Sequence, residues 1–103
     1  GPMATTVRIT TRELVQLRTG KTTMTVKWNP SKVFTGYQIQ LATDSKFTQN
    51  TKVIKISDPT TYWTTVDGLK SNTTYYVRIR SYHEFEGMTY FGGWSDVMRE
   101  ITK

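Results

Sequence analysis

Apolar and polar residues alternate along most of the chain, which is typical of half-buried β-strands. In the stretch TTMTVKW, Met24, Val26 and Trp28 share one parity and polar residues occupy the other. No stretch repeats its apolar residues every three to four positions, as an amphipathic helix would. Thr, Val, Ile, Tyr and Trp, which favour extended backbone, dominate these stretches. The pattern therefore predicts an all-β protein.

Turn residues divide the alternation into short strands at spacings of roughly 8–12 residues, which is typical of an antiparallel two-sheet sandwich. Proline cannot donate to a sheet, so Pro30 and Pro59 follow strand ends, and Gly87 supplies a positive φ to a hairpin turn. About seven strands result. They are an irregular first strand in VRITTRELVQL, followed by TTMTVKW, GYQIQLA, KVIKIS, YWTTVDGL, SNTTYYVRIRSY and the return strand YFGGWSDVMREI.

The inward parity of these strands defines the expected core. Between the third and fourth strands, Asp44 is expected to cap the local backbone and Phe47 to plug one end of the core. The expected core residues are Ile9, Leu14, Met24, Val26, Trp28, Tyr37, Ile39, Leu41, Val53, Ile56, Val66, Leu69, Tyr75, Val77, Ile79 and Val97.

The longest alternating stretch places two arginines between tyrosines on its outward parity. Arg78 and Arg80 lie between Tyr76 and Tyr82, and Trp94 follows two glycines on the return strand. Glycines let the backbone bulge, so the indole is expected to fold over the sheet, where guanidinium–indole contacts are favourable. We predict an outer ladder of cations and rings. The rival interpretation is an exposed aromatic platform that stacks on sugars or on a partner protein.

Two further aromatic positions are candidate binding residues. Parity from Val66 places Trp63 outward on the opposite sheet, and an outward tryptophan indicates an interface. The alternative is that Trp63 packs over the first strand or against a neighbouring domain. Tyr90, near the tip of the last hairpin, is a weaker candidate. The full candidate surface is Trp63, Tyr76, Arg78, Arg80, Tyr90 and Trp94.

Residues 5–103 resemble a fibronectin type III domain, because several of the family's characteristic residues occur in the same order along the chain. Trp28 lies in the second strand and Tyr37 in the third, and the stretch GLKSNTTYYVRIRSY matches the family's spaced pattern through Leu69, Tyr75 and the β-branched residues after them. The resemblance implies a seven-stranded sandwich with an immunoglobulin-like Greek key. It also implies a tyrosine corner, in which the Tyr75 hydroxyl bonds to backbone near Leu69. Ser71 stands where the family usually has proline.

The ATDSKF loop and the EGMTYFGGWS hairpin look most like versions from bacterial secreted and cell-surface proteins. In such proteins the module is similar to a spacer between catalytic, binding or anchoring domains. The resemblance thus implies an extracellular or cell-surface location, neighbouring domains of the same chain as partners, and a monomer. The runner-up is a module that binds polysaccharide or a cell-surface protein. A eukaryotic receptor origin is a further alternative, against which the hairpin style and the missing disulfides argue.

Charge and composition limit the classes of function that the chain can have. Lys and Arg number 14 against 8 acidic residues, but they are spread out, so a solvated surface is favoured over a nucleic-acid site. A polyanion binder is a third alternative, and its affinity would fall steeply with salt. There is no cysteine, so no disulfide or thiolate metal site forms. Apolar runs are too short for membrane insertion.

Catalytic chemistry is not indicated. His83 has no second histidine or cysteine beside it to hold a metal, and Glu84 and Glu86 share one strand face instead of opposing each other across a cleft. We expect no catalytic residue, cofactor or metal. Asn72 begins a glycosylation acceptor pattern, whose simpler interpretation is a turn asparagine. Residues 1–4, GPMA, are interpreted as the remnant of a cleaved tag.

Overall fold

The structure, a computed structural model, describes residues 14–31 and 33–103, which contain eight β-strands. Alternating side chains and intervening turn residues produce them, as the pattern predicts. The strands are β1 (Leu14–Thr19), β2 (Met24–Trp28), β3 (Gly36–Ala42), β4 (Lys52–Ile56), β5 (Trp63–Val66), β6 (Thr74–Phe85), β7 (Met88–Phe91) and β8 (Met98–Ile101).

The strands form two antiparallel sheets. The first has the order β1-β2-β5, and the second has the order β4-β3-β6, after which β7 and β8 both pair with β6. The β1–β2 register shifts between Leu14 and Gln16, which agrees with the predicted irregular first strand. The all-β sandwich is thus confirmed, with eight strands where the sequence predicted about seven.

Alternate residues of the two sheets fill the space between them. Apolar side chains facing away from water supply most of the stabilisation of such a core. Tyr37, Ile39, Leu41, Val77 and Ile79 from β3 and β6 are fully buried. The rest of the core cluster lies opposite them or at the strand ends: Met24, Val26, Trp28, Val66, Leu69 and Tyr75, with Leu14, Leu17, Phe34, Ile54 and Ile56 packed at its margin.

The prediction of a core position is wrong for two residues, Val53 and Val97. Val53 is 56% exposed because its cross-strand partner is Gln40, and paired residues share one face, here the outer one. Ile54 takes the inward place instead. Val97 is 45% exposed because it precedes β8, outside the regular alternation. Ile9 lies outside the described residues.

The predicted tyrosine corner is present. The Lys70 N–H donates to the Tyr75 hydroxyl over 2.8 Å, which fixes the turn before β6. The predicted hairpin is also present: Glu86 and Gly87 have φ angles of 51° and 76°, the pair of positive values that a two-residue type I′ turn requires.

The return strand is not continuous, contrary to the sequence prediction. It divides into β7 and β8, and the residues between them lie outside both strands. Tyr82 has the predicted outward parity, but its side chain is only 1% exposed. It lies on the outer side of the sheet and is covered there. A side chain on Gly36 would come within 2.8 Å of the Tyr82 hydroxyl, so glycine at that position makes room for the ring.

Candidate functional site

The outer face of the larger sheet carries Arg78 and Arg80 on its central strand β6. Strand alternation turns Val77 and Ile79 into the core and the two arginines away from it. The register places Gln40 of β3 beside Arg78 and Gln38 beside Arg80. We call this outer surface the arginine face.

The two guanidinium groups alternate with three aromatic rings. The Arg78 Cζ atom lies 4.2 Å from the ring centroids of both Phe47 and Trp94. The Arg80 Cζ atom lies 4.3 Å from the Trp94 ring and 3.8 Å from the Phe91 ring. All four distances are within the ~6 Å limit of a cation–π contact. The order Phe47, Arg78, Trp94, Arg80, Phe91 is the cation–π ladder. The predicted contacts of Arg78, Arg80 and Trp94 are therefore present.

Each arginine also has a glutamine acceptor. The Gln40 Oε1 atom accepts from Nε and Nη2 of Arg78 over 2.9 and 2.6 Å, and Gln38 Oε1 accepts from Nε of Arg80 over 2.7 Å. Burial lowers the pKa of Arg78, and burial together with the Arg78 charge lowers the pKa of Arg80. Both stay cationic at physiological pH because an arginine pKa starts so high. The hydrogen bonds and the cation–π contacts together offset the repulsion between the two neighbouring positive charges.

Trp94 reaches the ladder from an irregular segment and not from a strand. The Ser95 N–H donates to the Ile79 carbonyl over 2.8 Å, and the Ile79 N–H donates to the Ser95 hydroxyl over 3.0 Å. Gly92 donates to the Ser81 carbonyl over 2.9 Å. These bonds fasten both sides of Trp94 to the edge of β6. The indole is thereby held over the arginines, as predicted, although its segment is not the predicted strand.

The first ring of the ladder belongs to the loop after β3. The Asp44 carboxylate accepts from the backbone N–H groups of Thr48 and Gln49 and from the Thr48 hydroxyl, so its predicted capping role is confirmed. These bonds, led by the Thr48 hydroxyl, lower the Asp44 pKa. Phe47 is buried as expected, but its ring lies against Arg78 on the arginine face.

The other end of the ladder continues through Tyr82. Its ring centroid lies 6.4 Å from that of Phe91, and the Lys55 Nζ atom lies 5.1 Å from the Tyr82 ring. Phe47, Phe91 and both glutamines were missed as ladder members by the sequence analysis. The outward parity of Gln38 and Gln40 was the available signal for the two acceptors, whereas the rings come from turns and edges.

Tyr76 is not part of the ladder. It is half-buried in a shallow groove of about 330 Å³, which Ser45, Val97 and Arg99 also line. Tyr90 lies on β7 opposite His83 and is 47% exposed. The candidate surface predicted from sequence therefore separates into distinct places on the molecule.

Trp63 lies on the outer face of the smaller sheet and is 48% exposed. Lys27 is its cross-strand partner on β2, and Gln16 of β1 is the next residue along that row. A second row contains Arg18, Thr25 and Thr65, and the hydroxyls of the two threonines are 3.0 Å apart. We call this surface the Trp63 face. The outward orientation predicted for Trp63 is confirmed.

Among residues 14–31 and 33–103, no group of three His, Cys, Asp or Glu side chains is placed to hold a metal ion. None of these residues belongs to a helix long and apolar enough to cross a membrane. Asn72 is an exposed turn residue with a φ of 51°.

Comparison with solved structures finds the same fold in other proteins. The chicken CNTN1 FN1–FN3 domains match with a TM-score of 0.75 and 22% identity over 92% of this chain and 31% of that one. A myokine structure matches with a TM-score of 0.66 and 16% identity over 90% of this chain and 98% of that one. The β-1,2-glucanase from Parabacteroides distasonis matches with a TM-score of 0.74 and 13% identity over 91% of this chain and 13% of that one.

The chain thus spans about a third of the contactin fragment and a smaller part of the glucanase. No curated protein matches the sequence. The family model of the fibronectin type III domain matches residues 11–90. That match covers most of the chain, and it includes β1 through most of β7 and the tyrosine corner. The chain belongs to the fibronectin type III domain family, whose members are generally non-catalytic modules of multidomain proteins.

Proposed function

We propose that this domain is a non-catalytic spacer and presentation module of a bacterial secreted or cell-surface multidomain protein. The observation that carries the proposal is the position of the two ends of the described sandwich. Leu14 begins β1 beside Trp28, whereas the Lys103 N–H donates to the Gly20 carbonyl at the far end of β1. A six-residue strand spans about 20 Å. A domain that follows Lys103 would therefore leave the sandwich about one strand length away from the Leu14 end of β1.

Hydrogen bonds fix the exit point to the body of the domain. Thr102 is buried, its N–H donates to the Thr73 carbonyl, and its hydroxyl accepts from the Thr73 N–H over 3.0 Å. A residue held in this way limits the directions in which a following domain can leave. The cation–π ladder adds stiffness, because it joins the loop after β3, the central strand β6 and the irregular segment before β8.

The bacterial and extracellular parts of the proposal have separate support. Fibronectin type III domains are commonly extracellular. The Parabacteroides distasonis glucanase contains a similarly folded region that makes up a small share of its chain, as a spacer or accessory module would. The ATDSKF loop and the EGMTYFGGWS hairpin, which resemble bacterial modules, supply Phe47, Phe91 and Trp94 to the ladder.

The alternative function is binding of a polysaccharide or a cell-surface protein. On the arginine face, three of the residues predicted for it, Arg78, Arg80 and Trp94, contact one another in the ladder. The Trp94 ring has a guanidinium at both neighbouring positions of the ladder, so its faces are engaged within the chain. Trp63 and Tyr90 are the exposed aromatic residues that still favour it.

A distance measurement tests the spacer proposal. The chain has no cysteine, so a reporter domain with a single spin label can be fused to each end of the chain. We expect one narrow inter-label distance distribution by pulsed electron paramagnetic resonance. The control replaces the domain with a Gly/Ser linker of equal length, which behaves as a flexible coil and gives a broad distribution. A distribution as broad as that of the control would contradict the proposal.

A further inference from the structure

The Trp63 face presents a half-exposed aromatic ring and two cations on three neighbouring strands. Its six outward side chains lie in two cross-strand rows on three neighbouring strands. Lys27 and Trp63 are paired directly, and Arg18 lies one row away. The six residues are Gln16, Arg18, Thr25, Lys27, Trp63 and Thr65.

The charged groups on this face have no partner of opposite charge. Within residues 14–31 and 33–103, neither Lys27 nor Arg18 makes an ion pair, and no acidic residue is among the six. Asp67 comes after the end of β5 and lines a depression at the edge of the face with Thr65 and Lys52. The face therefore has a positive potential that a negatively charged group would complement.

The shape of the face favours a polymer over a small enclosed ligand. A depression of about 170 Å³ lies between β1 and β2, and Gln16, Arg18, Thr25 and Lys27 line it. It is smaller than the ~300 Å³ at which small-molecule pockets begin, so it accepts a substituent and not a whole ligand. Neighbouring strands are ~4.8 Å apart, so the three strands up to Trp63 form a flat surface about 10 Å wide. A chain molecule can cross this surface and place one charged group in the depression.

We propose that the Trp63 face binds a carboxylated polysaccharide. A sugar ring would stack on the exposed indole of Trp63, since an aromatic face carries negative potential that attracts the C–H groups of the ring. The carboxylate of a neighbouring sugar would meet Lys27 and Arg18, and a guanidinium can bind a carboxylate through two parallel hydrogen bonds. Gln16 and the two threonines supply further polar groups for hydroxyls. A nucleic acid fits less well, because two cations neutralise few phosphates.

This binding would be additional to the spacer role and does not depend on it. Lys27 and Trp63 take no part in the hydrogen bonds that fix the exit point, so the distance distribution between fused reporters would be unaffected if the binding proposal failed. Conversely, a flexible domain could still bind sugar through this face. The two proposals can therefore fail separately.

The test is a nitrogen-15 NMR titration of the full chain with oligogalacturonate. Its methyl ester serves as the matched ligand, because it has the same rings without the charges, and heparin serves as a sulfated polyanion. We expect saturable shifts at the Trp63 indole N–H and at the backbone of Lys27 and Gln16. We expect the methyl ester to bind at least about tenfold more weakly, which is the usual effect of losing one good polar contact.

Four variants locate the site. Trp63→Ala and Lys27→Gln should each weaken binding by about tenfold or more. Tyr90→Ala and Lys46→Gln remove an exposed ring and an exposed charge elsewhere and should leave affinity within about twofold. Spectral dispersion shows whether each variant is folded. The proposal is overturned if oligogalacturonate gives no saturable shifts, or if the methyl ester binds equally well. It is also overturned if Trp63→Ala binds oligogalacturonate with normal affinity. The same holds if heparin binds as tightly as oligogalacturonate and Lys27→Gln and Lys46→Gln weaken binding equally.

Discussion

The two outer faces of the sandwich carry similar residue types but differ in how far the chain itself covers them. Each carries one tryptophan and at least two basic residues. On the arginine face, Arg78 and Arg80 lie two positions apart on one central strand, and an irregular segment brings Trp94 between them. On the Trp63 face, the cations lie on different strands and the indole is 48% exposed.

The comparison teaches that composition does not decide whether an aromatic, basic surface is available to a ligand. What decides is whether another element of the same chain supplies the cover. The segment between β7 and β8 covers the arginine face because Ser95 bonds both backbone groups of Ile79. The corresponding edge of the smaller sheet ends in β5, which has no such segment beside it in the described order of strands.

The largest expected difference concerns the two tryptophans. Trp94→Ala removes two cation–π contacts of ~0.5–2 kcal/mol each and the packing of a large ring, so the free energy of unfolding should fall by about 2–4 kcal/mol. Trp63→Ala removes an exposed ring and should cost less than about 1 kcal/mol. Urea unfolding followed by circular dichroism measures both. Equal losses would show that the two faces are not different in the way described.

The next effect concerns the clamp that positions Trp94. Ser95→Ala leaves the buried Ile79 N–H without its hydroxyl acceptor, and a buried unsatisfied donor costs about 1–3 kcal/mol. Ser45→Ala, at an exposed serine, is the control and should change stability by no more than ~0.5 kcal/mol. Urea midpoints compare the two variants. If Ser95→Ala were as stable as the control, the segment would be held by other contacts.

A smaller effect should follow from changing the shape of a cation without changing its charge. Arg80→Lys replaces a planar group, stacked between Trp94 and Phe91, with a point charge that cannot stack, and should cost about 1 kcal/mol. Arg18→Lys, on the Trp63 face, should be neutral within ~0.5 kcal/mol. Thermal unfolding at matched pH and salt would reveal the difference. A neutral Arg80→Lys would mean that charge alone matters in the ladder.

The smallest effect is a pH dependence in the loop that carries Phe47. Because the folded state lowers the Asp44 pKa below its ordinary value of 3.8, this carboxylate contributes stability above that pH. The contribution is lost as pH falls through the lower pKa of the folded state. The stability advantage of the wild type over Asp44→Asn should therefore be largest above pH 3.8 and shrink in stronger acid. A pH-independent difference, measured by urea unfolding, would contradict this.

Much of the fold could be predicted from the sequence because strand alternation and turn chemistry are local. The inward rows of β3 and β6, the Tyr75 corner and the Gly87 turn all follow from parity or from a required φ. Val53 was wrong because KVIKI has apolar residues on both parities, and only its pairing with Gln40 decides the face.

The candidate sites could be predicted only in part, for a physical reason. The alternation of Arg78 and Arg80 indicates a row of outward cations, and GGWS indicates a ring near them. The places of Phe47 and Phe91 depend on how a loop and an edge strand fold back over that row, and local sequence does not encode such long-range contacts. For Trp63, parity gives the outward direction, whereas exposure depends on what the rest of the chain leaves uncovered.

A double-mutant cycle tests the central claim most directly. The free energy of unfolding is measured for Arg80→Gln, Trp94→Ala and the double variant, and in parallel for Lys27→Gln, Trp63→Ala and their double variant. We predict a coupling energy of about 1 kcal/mol for Arg80 with Trp94, and a clearly smaller value for the exposed cross-strand pair Lys27 and Trp63. Zero coupling in the first cycle, or equal coupling in both, would contradict the claim that one face is closed by its own chain and the other is left open.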